Sequence, residues 1–452
     1  MPLIFNGNSP KNIQYNGNFV GTVKYGDTIV WQYRLPTGYI ELEYIESDKA
    51  SYINTGFYPN QDTTIRMKFM SAPTVQSVTS SALFYTSNAA GTRNYGFALN
   101  AGSASGKYRV YYGATDPFTG ASKLAASTDY TIVLDKNKFY LNGTLRHTFA
   151  TNTFAPNYPL PIFAQFYTSA SPINYSTEGT RIYYFDIYDN GTPVRHLVPC
   201  MTTAGDIGMY DVLNSVFYPN LGSGTFIPGP IVLPHEYTKL SYVETDGACW
   251  IELNVVPDAN TEFEITASNI IATSSQIMNA QADISNNYFV IGKASATQKI
   301  IGRIVNETLA SSIDGVDQFT ARLNPSSFYV NGTKVGDFTQ TGLAGLGNVD
   351  LFRGKYTANI YYAPAGLRVH EVIIRKSGAE VLHGFPVKNT ANELGIYDVV
   401  NGVFYTNKGT GSLIEPSSSV DLESNNLNSN TLSVTPEMLL GGKKVKYDID
   451  DI

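Results

Sequence analysis

The stretch Gly205–Phe226 reads GDIGMYDVLNSVFYPNLGSGTF, and Asn392–Leu413 reads NELGIYDVVNGVFYTNKGTGSL. Gly208, Tyr210, Asp211, Val212, Asn214, Val216, Phe217, Tyr218, Asn220, Gly222 and Gly224 recur as Gly395, Tyr397, Asp398, Val399, Asn401, Val403, Phe404, Tyr405, Asn407, Gly409 and Gly411. In both copies two short apolar runs flank a turn, so each block reads as a pair of neighbouring strands with a glycine-rich exit. The shared side chains are mainly apolar or aromatic. That composition predicts a closing hairpin, with Asp211 and Asp398 as structural carboxylates rather than catalytic ones.

The repetition extends outward. LPTGYIELEYIESDKASYINTGFYP from Leu35 matches LPHEYTKLSYVETDGACWIELNVVP from Leu233. KFYLNGTL at Lys138 matches SFYVNGTK at Ser327, and HLVP at His196 matches HGFP at His383. These blocks keep their order, so the chain duplicates a unit of roughly 190 residues, far longer than a solenoid repeat. Each unit reads as strands. YIELEY alternates, which predicts Ile40, Leu42 and Tyr44 on one face. Asn142-Gly143 and Asn190-Gly191 are tight-hairpin dipeptides, and helical periodicity is missing. The expected fold is all-β, a sandwich or jelly roll repeated twice. The expected segments are a hairpin module at 1–34, one sandwich at 35–229, a second at 230–416, and a Ser/Asn-rich linker with a short peg at 417–452. In that tail Thr435 followed by Pro436 reads as a helix cap.

Bulk composition agrees and excludes some classes. The chain has 452 residues, 43% hydrophobic and 15% charged, with 32 Tyr and 23 Phe. The net charge of −7 and the lack of a long basic run give nucleic acid no electrostatic hold. No run reaches the roughly 18 apolar residues of a membrane span. The N-terminus MPLIFNGNSPKN lacks the basic and apolar regions of a signal peptide. Cys200 and Cys249 occupy non-equivalent places, which implies neither a disulfide framework nor a thiolate metal site.

The paired motifs LPTGYIELEYIESDKASYINTGFYPN and LVPCMTTAGDIGMYDVLNSVFYPNLGSGTF resemble the concanavalin A-like, laminin-G-type jelly rolls common in virion and tail-associated proteins of bacteriophages. YNGNFVGTVKYGDTIVWQ similarly resembles the hairpin modules that open many phage structural proteins. The resemblance implies a non-enzymatic protein on the particle surface, made in the host cytoplasm without a signal peptide. It would be held to other virion proteins through residues 1–34 or the tail. It also implies a homo-oligomer, such as a trimer, touching host-surface or environmental glycans. Calcium at a loop rim is the one cofactor this kinship allows. A purely structural fibre or decoration protein is the alternative, and a glycan hydrolase on the same fold is the third reading.

Candidate chemistry is sparse. Glu41, Glu43 and Glu46 evoke the carboxylate strand of jelly-roll glucanases. In the second copy the positions hold Lys239, Ser241 and Glu244, so only Glu46/Glu244 persists, which points to a structural bond. Of the five histidines only His196 and His383 correspond, and no zinc-type spacing exists. Asp116, Asp206 and Asp283 are isolated loop carboxylates, and the NGT triplets fall at hairpin turns. Sugar binding needs aromatic faces with polar groups beside them. The Tyr-rich stretch of the first copy supplies Arg93, Asn94, Tyr95, Tyr108, Tyr112 and Asp116, and its counterpart has lost most of the tyrosines. The first copy is therefore the expected glycan binder.

Overall fold

A computed structural model describes residues 34–77, 81–99, 107–113, 117–167, 169, 171–234, 236–271, 275–281, 288–294, 299–339, 343, 345–356 and 359–416. It also gives the backbone of strands Ile13–Tyr15, Asn18–Val20, Thr22–Tyr25, Thr28–Gln32 and Thr431–Val434. Asp116, His235, Asp283, Thr435 and the turns at Asn16-Gly17 and Gly26-Asp27 lie outside the described residues. Two compact units emerge, the first running to Val232 and the second starting at Leu233.

Both units are two-sheet sandwiches, so the fold is all-β, and both larger sheets follow one strand order. In the first unit that order is Thr144–Thr148, Lys138–Leu141, Asp129–Asp135, Thr63–Met70, Arg181–Asp189, Thr192–Thr202, Ile207–Asp211, Val216–Pro219. In the second it is Thr333–Asp337, Ser327–Val330, Phe319–Leu323, Thr261–Ser268, Arg368–Lys376, Ala379–Asn389, Leu394–Asp398, Val403–Thr406. Each larger sheet faces a six-stranded sheet of its own unit. Alternation along the strands builds the cores. Ile65, Met67 and Phe69 point inward against Phe97, Phe139 and Phe185, while Arg66 and Lys68 point outward. Phe263, Ile265, Phe289, Phe319 and Ile374 do the same work in the second unit. Each such ring or branched chain contributes about 1.5–3 kcal/mol by burial. Asn142-Gly143, Asn190-Gly191 and Asn331-Gly332 all have positive φ at both residues, as tight hairpins of this hand require.

Two expectations change. YIELEY is not one strand: Tyr39–Glu41 pairs with Thr192–Thr202, and Ile45–Glu46 pairs with Arg181–Asp189. The break puts Ile45 in the core instead of Tyr44, whose ring carries the Arg181 guanidinium 4.3 Å from its centroid. The first sandwich also runs past the expected boundary at 229. Leu42 bridges Ile231, the Glu43 N–H donates to Pro230 at 2.8 Å, and the Val232 N–H donates to Glu41 at 3.0 Å. At the chain ends, Thr431–Val434 lies parallel to Thr22–Tyr25, which pairs on its other edge with Thr28–Gln32. The end of the stretch read as linker is therefore a strand.

The repeated block closes each sandwich as a latch. Ile207–Asp211 pairs with Val216–Pro219, and Leu394–Asp398 with Val403–Thr406. The Asn220 carbonyl oxygen accepts the Tyr52 and Gly222 N–H groups at 3.1 and 2.8 Å, and its amide donates to Gly224 at 2.6 Å. Asn407 makes the same three bonds to Trp250, Gly409 and Gly411, at 3.1, 2.7 and 2.6 Å. Asp48 caps Ala50 and Thr225, as Asp246 caps Ala248 and Ser412. The glycines are needed for close approach. A Cβ on Gly222 or Gly409 would collide with the carbonyl of Ala50 or Ala248, and one on Gly224 or Gly411 with the carboxylate of Asp48 or Asp246. Asp211 and Asp398 are fully buried, accept the N–H groups of His196 and His383 at 3.2 and 3.1 Å, and are bonded by Asn214 and Asn401. They are scaffold, as the sequence predicts.

Asn220→Ala leaves two N–H donors and a carbonyl unpaired, and should cost about 1–3 kcal/mol. Gly222→Ala should cost about as much through overpacking. Thermal unfolding followed by calorimetry should show the first unit melting several degrees lower in either variant while the second unit's transition stays in place.

Candidate functional site

The duplicated scaffold directs attention to the outward faces of the larger sheets, where the copies part company. In the first unit, strand register sets Tyr140 opposite Val133, Val133 opposite Arg66, Arg66 opposite Asp186, and Asp186 opposite His196. In the second, the same line reads Tyr329, Arg322, Glu264, Ile373 and His383. The Tyr and His ends are kept, and the three positions between them are all replaced.

In the first unit the line combines rings with hydrogen-bonding groups. The His196 imidazole Nδ1 lies 2.5 Å from Asp186, and both are nearly buried. The Arg66 guanidinium sits 5.0 Å from the Tyr188 ring centroid, and the Lys68 ammonium 4.4 Å from that of Tyr183. Tyr184 and Tyr140 stay partly exposed on this face. Glu41 comes from the neighbouring short strand. Although the residue is only half-buried, burial of its carboxyl pushes it up to about 7, and the His196 imidazole offsets only part of that.

In the second unit the same face is an ion-pair network. Arg375 reaches Glu264 at 2.6 Å, Glu262 at 3.2 Å and Glu380 at 3.3 Å. His383 lies 2.8 Å from Glu371 and 3.0 Å from Glu380. Burial alone would lower its pKa, but the two carboxylates outweigh that and raise it to about 9. Lys239, which stands where the first copy has Glu41, packs its ammonium 4.0 Å from the Phe385 ring centroid. Glu46 and Glu244 are structural in both units. Each bonds an arginine, Arg181 or Arg368, at 2.7 Å beneath Tyr44 or Tyr242.

The loop residues expected to stack on sugars do something else. Tyr95 is fully buried, Tyr108 is 6% exposed and Tyr112 4%. Their strands belong to the smaller sheet, and their rings pack inward on Phe154 and Phe97. The Tyr112 hydroxyl donates to the Gln61 carbonyl at 2.8 Å. Asn94 is buried and accepts the Ser87 hydroxyl at 2.7 Å, while Arg93 is exposed with its guanidinium 3.5 Å from Asn152. These side chains form core and turn, so the three rings offer no platform. The Tyr184, Asp186, Tyr188 alternation, every second residue of RIYYFDIYD, was the signal for the outward line. Among the described residues, no group of three or more His, Cys, Asp and Glu is placed to hold a metal.

No protein-family model and no curated protein matches this sequence. Among solved structures, the chain is similar to mouse laminin alpha1 chain domains LG4-5, at 10% identity over 78% of this chain and 96% of that one, with a TM-score of 0.27. It is also similar to the LG1-3 region of the laminin alpha2 chain, at 12% identity over 80% and 67% of the two chains, with a TM-score of 0.26.

The two faces should titrate differently. The raised Glu41 carboxyl contributes stability that is complete below about pH 4.5 and lost as pH rises through 7. Glu41→Gln should therefore leave Tm unchanged at about pH 4 and raise it by several degrees at pH 8. The raised His383 contributes below its ordinary value of 6.5 and loses that contribution through pH 9. The Tm gap between wild type and His383→Gln should be widest near pH 6 and should close by pH 10.

Proposed function

We propose that this protein binds glycans without turning them over, through the outward face of the larger sheet of its first unit. The supporting observation is the replaced line: Arg66, Asp186 and Val133 between Tyr140 and His196, against Glu264, Ile373 and Arg322 in the copy. A duplicated scaffold that keeps its latch residue for residue, yet changes one contiguous surface row, has had that surface shaped separately from its fold. The first copy's row suits sugars. The partly exposed Tyr140 and Tyr184 rings would cover apolar ring faces, and the Asp186–His196 pair holds a polar floor between them. The second copy's row is charged, with Arg375 bonding Glu264, Glu262 and Glu380.

The proposed setting is the surface of a bacteriophage particle, supported by the resemblance of the sandwich motifs and of the opening hairpin module. Residues 1–34 and the tail would then hold the protein to other virion components, and its targets would be host-surface or environmental glycans.

A printed glycan array probed with the full-length protein, with host cells alongside, tests the reading. Binding that falls about tenfold in Tyr184→Ala and in Asp186→Asn is expected, equivalent to about 1.4 kcal/mol. Release of reducing ends from a bound glycan would instead make the protein a hydrolase, and silence across array and cells would leave a purely structural role.

A further inference from the structure

Three turns of the second unit meet at one end of its larger sheet and enclose an open cavity of about 320 Å³. They are the turn before Thr261–Ser268, the turn at Asn324-Pro325-Ser326, and the hairpin turn at Ser377-Gly378. Each turn is held in place. Asp258 accepts the Asn260 N–H at 2.8 Å and the Lys376 ammonium at 2.9 Å. The Asn324 Oδ1 accepts the N–H groups of Ser326 and Ser327 at 3.0 and 2.9 Å. The Ser377 N–H donates to the Asn260 carbonyl at 3.0 Å, which ties the first turn to the third. The cavity is therefore a fixed concavity, and its size lies near the lower end of the roughly 300–1,000 Å³ of small-molecule sites.

The first unit fills the same place from within. Aligning the repeats sets Lys136 at the position of Pro325, Thr64 at that of Glu262 and Tyr188 at that of Arg375. The Lys136 ammonium spans the turns there, donating to the Asn190 Oδ1 at 3.3 Å and lying 3.8 Å from Asp62. The Thr64 hydroxyl donates to Asp135 at 2.8 Å. Proline has no side chain that can cross, so in the second unit the space between the turns stays open. Two opposite charges now border it. The Glu262 Oε1 accepts the Arg375 guanidinium at 3.2 Å, and its Oε2 accepts the Asn324 amide at 3.4 Å with the Arg322 Nε at 3.8 Å. These are long contacts, and the carboxylate keeps acceptor capacity. Arg375 also donates to Glu264 at 2.6 Å and Glu380 at 3.3 Å, and a guanidinium holds more donors than these bonds use.

We infer that this cavity is a binding site for a single neutral sugar residue, such as the end of a glycan chain. Neighbouring hydroxyls of a sugar both donate and accept, so one can donate to Glu262 while the next accepts from Arg375. Asn324, Asn260 and Ser326 add amide and hydroxyl groups at the same wall, and Pro325 and Ala259 add apolar surface. Charge argues for a neutral ligand. An anion would meet the carboxylates of Glu262, Glu264 and Glu380, and a cation would meet the guanidinium among them. The site goes beyond the reading above, which places the ligand on the first unit. It takes a sugar end-on between turns, where the first unit offers an open face.

Ligand-observed NMR titration of the full-length protein with neutral, acidic and amino methyl glycosides tests the site. A neutral glycoside should bind, and Glu262→Gln should weaken it about tenfold. Pro325→Lys, which restores the first copy's crossing side chain, should abolish binding. Both positions are partly exposed, so the second unit's calorimetric transition should stay within a few degrees of wild type in each variant. Tyr184→Ala should leave this binding unchanged. Glycoside binding kept in both second-unit variants and lost in Tyr184→Ala would overturn the cavity site and leave the first-unit reading standing. Binding of acidic or amino glycosides alone would overturn it as a neutral-sugar site. Silence from the wild type toward every glycoside would also overturn it, while binding on the array would still uphold the first-unit reading.

Discussion

One carboxamide per unit ties the two ends of each sandwich together. Asn220 and Asn407 each clamp an incoming strand, their own exit and a glycine carbonyl with three short bonds. The clamp works only where the exit backbone can lie directly on the loop at Ala50 or Ala248, which forbids a side chain at Gly222 and Gly409. The last residues of each domain are thereby tied to its first. A sandwich whose first and last segments meet in this way is closed before its loops or outer faces are specified. That separation lets one unit be copied and then altered on its surface without reopening the fold.

The alterations are confined in a telling way. Core positions change size but not character: Met67 and Phe69 give way to Ile265 and Ala267, and Phe185 to Val372. Outward positions change chemistry outright, from Arg66 to Glu264 and from Asp186 to Ile373. The smaller sheet repeats the contrast, with rings and alanines in one unit and unpaired amides in the other.

Much of the fold was legible in the sequence, because its determinants are local or repeated. Asn-Gly dipeptides announced the hairpins, alternation announced the strands, and the doubled GMYDVLNSVFYPN block announced both the duplication and its structural nature. The site was less legible. Tyr95, Tyr108 and Tyr112 look like a sugar platform in a loop-rich stretch, yet period-two alternation cannot say which face is the core when both faces are aromatic. The outward line Tyr140, Val133, Arg66, Asp186, His196 draws on five strands, and only the inter-strand register assembles it. The split of YIELEY into two short strands was hidden for a similar reason, since the partners of Tyr39–Glu41 and Ile45–Glu46 lie far along the chain.

The parallel ladder between Thr22–Tyr25 and Thr431–Val434 has a mechanical meaning. The strands run the same way, one near the start of the chain and one near its end. A pull applied between the two termini would therefore slide one strand along the other and strain all the ladder's hydrogen bonds together. That short ladder is a shear clip in series with the termini. While it holds, tension passes from end to end through four residue pairs, and both sandwiches lie in the slack loop between them.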